Sequence, residues 1–93
     1  MSEMELLVKF ITSAKDDPRT GMTHISLYTG LVTLTQVRME HPLCVFAGDV
    51  MPYCKLYSKV TYNRTLRQLH EFGYIRYEPS YNHFLGSLVY LEF

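Results

Sequence analysis

Four side chains in one short segment have the chemistry to meet a polyanion: Lys59, Asn63, Arg64 and Arg67. If the segment is helical, at about 100° per residue, steps of four, one and three place them on a single face together with Val60. A guanidinium can grip guanine O6 and N7 with two hydrogen bonds, and a carboxamide can do the same to adenine N6 and N7. No acid interrupts this face before Glu71. Arg64, Arg67 and Asn63 are therefore expected as base readers, with Lys59, Lys55 before it and Arg76 after it as phosphate contacts. Such residues are also common on an ordinary solvated helix, so the surrounding elements decide the reading.

Those elements are well marked. Ser58 reads as the N-cap of a helix over 58–72, and Gly73 as its stop. Tyr62, Thr65, Leu66, Leu69 and Phe72 fall opposite the cations and should pack into a core. Two alternating runs follow, Tyr74–Glu78 and Leu88–Phe93, with Gly86 at the turn between them. They predict a two-stranded ribbon over 74–93 whose tip, Pro79 to Leu85, is too long for a tight hairpin. Ser80, Asn82, His83 and Ser87 could hydrogen-bond phosphate oxygens from that tip. Tyr81, Phe84 and Leu85 could fold back onto the sheet, contact a partner or rest in a minor groove, and packing is the simplest expectation.

Upstream, Ser2 and Glu5 form a capping box, and Leu6, Leu7, Phe10 and Ile11 give a helical pattern over 3–14. The run D-D-P-R-T-G is a loop. Thr23 should cap a second helix, His24 to about Met39, with Leu27, Leu31 and Leu34 on one stripe and Ile25, Tyr28 and Val32 beside it. Gly30 in its middle costs about 1 kcal/mol relative to Ala, which suggests close approach of another helix. His41-Pro42 ends the helix. Residues 43–46 form a short β-like run, the first strand of a small sheet. A short helix should follow from Gly48 to Leu56, where Pro52 forces either a start at Met51 or a distorted first turn.

The chain has 93 residues, enough for one domain, 1–93, with a modest core. Nine Lys and Arg balance nine Asp and Glu, but the cations gather between Lys55 and Arg76 while Glu3, Glu5, Asp16 and Asp17 lie near the start. A local field rather than the sum decides whether phosphates are attracted. Cys44 and Cys54 have no partners at metal-ligand spacing and read as thiols in a reducing compartment. His24, His41, His70 and His83 are scattered, so no metal or other cofactor is expected. No apolar run reaches the ~18–20 residues of a membrane span, and the acidic start M-S-E-M-E is not a targeting sequence. A cytoplasmic location is expected. No nucleophile motif or Gly-rich phosphate cradle is present, so an enzyme is not expected.

A polar, basic helix leading into a β-ribbon is the outline of a winged helix. The runs S-K-V-T-Y, L-H-E-F-G-Y-I-R-Y-E-P-S and G-S-L-V-Y, with H-I-S-L-Y upstream, resemble a family of small winged-helix transcriptional regulators of Bacteroides-type bacteria, often carried on mobile elements. The likeness covers about residues 24–93. It implies an α+β winged helix-turn-helix with about four helices, binding double-stranded DNA. Two positions depart from the family pattern: His83 stands for a Pro and Leu85 for a wing Lys. Losing that cation would lower the salt dependence by about one unit. The greasy composition, 47% hydrophobic, suggests a homodimer through Glu3–Ala14 and His24–Met39. Zero net charge and the apolar wing tip keep open a protein-interaction module without DNA binding. A part of a replication-initiation complex is a third possibility.

Overall fold

A computed structural model describes residues 2–80 and 85–91. Among these, four helices and three strands follow in the order α1 (Glu3–Ala14), α2 (Met22–Arg38), β1 (Leu43–Val45), α3 (Ala47–Cys54), α4 (Lys59–Glu71), β2 (Arg76–Glu78) and β3 (Ser87–Tyr90). The architecture is a small α+β domain with one antiparallel three-stranded sheet, ordered β1-β3-β2. The β-like run at 43–46 thus does join the C-terminal ribbon, through Leu43 opposite Val89 and Val45 opposite Ser87. In the ribbon, Arg76 pairs with Tyr90, Tyr77 with Val89 and Glu78 with Leu88.

Helix α2 is the hub. Leu27, Leu31 and Leu34 are buried, as are Tyr28 and Val32, whereas Ile25 stays partly exposed. On one flank Phe10 of α1 stacks on Tyr28 with ring centroids 4.0 Å apart, and Tyr74 meets Phe10 edge-on at 5.0 Å. On another flank α3 crosses at Gly30, where a Cβ would lie 3.0 Å from Cys54 Cβ and 3.3 Å from its backbone nitrogen. The close helix approach expected at this glycine is therefore present. Ser26 Oγ donates to the Cys54 carbonyl at the same crossing.

Several boundaries differ from the sequence expectation. Helix α2 begins at Met22, not His24, because the His24 ring acts as a cap: its Nδ1 accepts the Gly21 N–H at 3.0 Å. Gly21, not Thr23, is the N-cap. The helix closes at Met39, which takes the left-handed conformation at φ 53°. Helix α3 starts at Ala47, before either start allowed for Pro52, because Asp49 caps it by accepting the Phe46 N–H at 2.9 Å. Phe46 is thus a cap rather than a strand residue. Pro52 lies inside the helix, where it supplies no N–H to the Gly48 carbonyl one turn back. Lys55 ends α3 in the left-handed conformation, earlier than Leu56. The ribbon strands are shorter than their alternating runs, since Tyr74 and Ile75 are used in closing α4.

Candidate nucleic-acid interface

Helix α4 forms where its local signals put it. Ser58 Oγ accepts the Thr61 N–H at 3.3 Å, and the Ser58 carbonyl takes the Tyr62 N–H. At the other end the N–H of Gly73 bonds the His70 carbonyl and that of Tyr74 bonds the Leu69 carbonyl, with Gly73 at φ 86°. This is a Schellman closure, and only glycine takes that backbone conformation without strain. Tyr62, Thr65, Leu66 and Leu69 are buried, and Phe72 is half-buried. Burial pushes the Tyr62 phenol well above its usual value.

Long-range bonds then fix the orientation of α4. His24 Nε2 meets Gln68 Oε1 at 2.8 Å across 44 residues of sequence. Because Nδ1 of the same ring accepts from Gly21, the imidazole is the neutral tautomer with its proton on Nε2. His70 Nδ1 accepts the Tyr77 N–H at 3.0 Å, tying α4 to the ribbon. Past the helix end, Asp17 takes two bonds from the Arg19 guanidinium, at 3.0 and 2.8 Å, and one from the Tyr74 hydroxyl at 2.6 Å. Arg19 in turn covers the Phe72 ring at 4.3 Å. The Arg19 guanidinium, seconded by the Tyr74 hydroxyl, holds the Asp17 carboxyl well below the usual carboxylate range.

With α4 so held, its outer face is solvent-facing. Lys59, Asn63, Arg64 and Arg67 are all exposed, Val60 between them is 73% exposed, and Lys55 is exposed at the end of α3. The decisive feature is which cations are neutralised. Lys15 pairs with Asp16, Arg19 with Asp17, Arg38 with Asp49 and Arg76 with Glu78. Among the described residues, Lys55, Lys59, Arg64 and Arg67 have no ion pair. Asp16, Asp17, Asp49 and Glu78 are the acids engaged with those four cations. Lys9 on α1 also has no ion pair among the described residues, but the four at and just before α4 are the ones that cluster.

Two shallow hollows border the ridge. One is lined by Phe46, Lys59, Asn63, Tyr77, Ser80 and Leu85, among others, and the second by Val60, Asn63, Arg67 and Tyr77. Asn63 and Tyr77 border both.

The ribbon contributes less than the sequence suggested. Arg76 shares the outer sheet face with Tyr90 and Glu78, whereas Tyr77, on the other face, lines the hollows beside α4. Its guanidinium is 3.3 Å from Glu78 and sits over the Tyr90 ring at 5.2 Å. The structure does not bring Arg76 onto the ridge. Ser87 Oγ accepts the Ser80 N–H across the ribbon base at 3.4 Å. Leu85 is 61% exposed rather than folded onto the sheet. Asn82 and His83, together with Tyr81 and Phe84, lie outside the described residues.

Two residues were missed by reading the sequence for cations alone. Tyr53 and Tyr57 are 46% and 82% exposed and interleave with Lys55 and Lys59. Their phenols can donate to the same kind of anion. The alternation Y-C-K-L-Y-S-K was the available signal.

Among the described residues no three His, Cys, Asp or Glu side chains are grouped to hold a metal ion, and no helix is long and apolar enough to cross a membrane. No protein-family model matches the chain, and no curated protein or solved structure matches it either.

Proposed function

We propose that this chain is a winged-helix protein that binds double-stranded DNA through α4 and acts as a transcriptional regulator or accessory factor. One observation carries the reading: Lys59, Arg64 and Arg67 along α4 and Lys55 at the end of α3 remain exposed and without an ion pair, while Lys15, Arg19, Arg38 and Arg76 are each paired with an acid. The element order supports it, since α3, a short turn, α4 and the β2–β3 ribbon follow one another as in a winged helix. In this reading α4 enters the major groove, Arg64, Arg67 and Asn63 address base edges, and Lys55 and Lys59 neutralise phosphates with help from Tyr53 and Tyr57.

The test is duplex binding against salt. Each phosphate contact contributes about −0.9 to the slope of log affinity against log salt, so the two contacts from Lys55 and Lys59 give a slope near −2. Replacing Arg64 and Arg67 together by Ala should weaken binding at least ~30-fold, since a lost bidentate base contact costs about 1–3 kcal/mol each, and leave the far-UV circular dichroism unchanged. Unchanged affinity in that double variant removes the assigned surface.

A protein-interaction module is the second reading, favoured by the exposed Leu85 and by the neutralisation of Arg76. An apolar contact of that kind would hardly respond between ~50 and ~200 mM salt, where a DNA complex with two phosphate contacts weakens about 10-fold.

A further inference from the structure

One residue of the ridge carries no charge and no hydrogen-bonding group. Aliphatic side chains scattered singly over a surface are ordinary, but Val60, 73% exposed, lies inside the cationic set itself. At about 100° per residue it falls mid-ridge, with Arg67 about 20° to one side and Arg64 about 40° to the other. Asn63 lies about 60° away on the Arg67 side. A β-branched residue forms helix less readily than the Lys and Arg that fill the neighbouring outer positions. At such exposure it also adds little to the core. Neither helix formation nor packing accounts for it.

Its surroundings form a recess. Val60, Asn63 and Arg67 stand on the α4 side of one shallow hollow, and Tyr77 of the ribbon stands on the other. His70, on the same helix, accepts the Tyr77 N–H at 3.0 Å, so the two sides are tied together. An aliphatic group, a carboxamide, a guanidinium and a phenol are thus presented from elements held in a fixed relation.

In the major groove the C5-methyl of thymine is the apolar landmark, and the other bases are marked by donors and acceptors. We propose that Val60 reads thymine through that methyl group and sets the A·T end of the target, an inference that rests on α4 being the helix that enters the groove. The spacing gives the order. Val60 and Asn63 are about 4.5 Å apart along the helix axis, a little over one base-pair step of ~3.4 Å. Val60 and Arg67 are about 10.5 Å apart, or three steps, so a helix lying along the groove covers about four base pairs. Thymine against Val60 and adenine against Asn63 lie at the end facing the start of α4. Guanines against Arg64 and Arg67 follow. Lys55 and Lys59, as phosphate contacts, carry no part of this sequence preference.

The test begins with selection by the full chain of duplexes from a randomised library of ~20 base pairs. Each thymine of the recovered duplex is then replaced in turn by deoxyuridine, which deletes only the methyl group. The recovered duplexes should share A·T pairs adjoining G·C pairs over about four positions. One deoxyuridine should weaken binding about 4-fold, the worth of one buried methyl group, and those outside the shared core should have no effect. Val60→Ala keeps the helix, since Ala is the better helix former, and should bind the thymine and deoxyuridine duplexes equally. Asn63→Ala should keep the methyl response while losing the preference for adenine beside it. Salt-sensitive duplex binding that ignores every thymine methyl overturns this inference and leaves the DNA reading standing. So does a methyl response that survives Val60→Ala, or a shared core without A·T pairs. A chain that retains no duplex at ~50 mM salt removes both.

Discussion

Helices α2 and α4 cross at the His24–Gln68 bond, yet they are built on opposite plans. Helix α4 divides cleanly into a buried face of Tyr62, Thr65, Leu66 and Leu69 and an exposed cationic face. Helix α2 has no such division: it buries eight residues, spread from His24 to Thr35, and its exposed positions are uncharged up to Val37, before Arg38 closes it. An amphipathic helix states its orientation in its own sequence. A helix apolar on most sides is oriented by its neighbours, here α1, α3 and α4. The contrast separates a charged, solvent-facing surface from one without charge.

The largest expected effect is at the crossing itself. His24→Ala removes the Gly21 cap, the Gln68 bond and packing against Phe72, whose ring lies 5.7 Å from the imidazole. A loss of about 2–3 kcal/mol in urea unfolding is expected, combining a cap with a buried hydrogen bond. A double-mutant cycle with Gln68→Ala should show coupling of about 1 kcal/mol. Additive losses would mean that α2 and α4 are held by packing alone.

Next comes a paired test of how tightly α2 is enclosed. Gly30→Ala should destabilise by about 1–2 kcal/mol, because the new methyl meets the Cys54 backbone of α3, outweighing the gain in helix propensity. Gly48→Ala, with open space around it, should stabilise by up to about 1 kcal/mol. Equal effects from the two would show that α3 yields freely at the crossing.

The smallest effect concerns the clamp at the end of α4. Asp17 has its carboxyl held below the ordinary value of 3.8, chiefly by Arg19. Its contribution is therefore fully present above about pH 4 and is lost as pH falls toward its lower folded value. Asp17→Asn should flatten the acid limb of a stability–pH profile and leave the neutral-to-basic limb parallel to wild type. An unaltered acid limb would show that the clamp contributes nothing by charge.

Much of α4 and its surroundings was legible beforehand. Its N-cap Ser58, its stop at Gly73 and its outward set of Lys59, Val60, Asn63, Arg64 and Arg67 all follow from signals within a turn or two of sequence. The same holds for α1 and for the close approach at Gly30. Elsewhere distant atoms decided. Thr23 looks like the better cap, but the His24 ring is held by Gln68 from 44 residues away and caps α2 at Gly21. Arg76 counts as a ribbon cation by composition, but pairing in the strand sets it beside Glu78 and Tyr90.

The chain alone thus determined where helices and strands form, which side of α4 is polar, and that the cations gather in its second half. It did so because periodicity, caps and glycine stops act over short spans of backbone. Only the tertiary structure decided which cations stay unneutralised and that β1 joins the ribbon. Those outcomes depend on side chains that meet only when segments far apart in sequence close on one another.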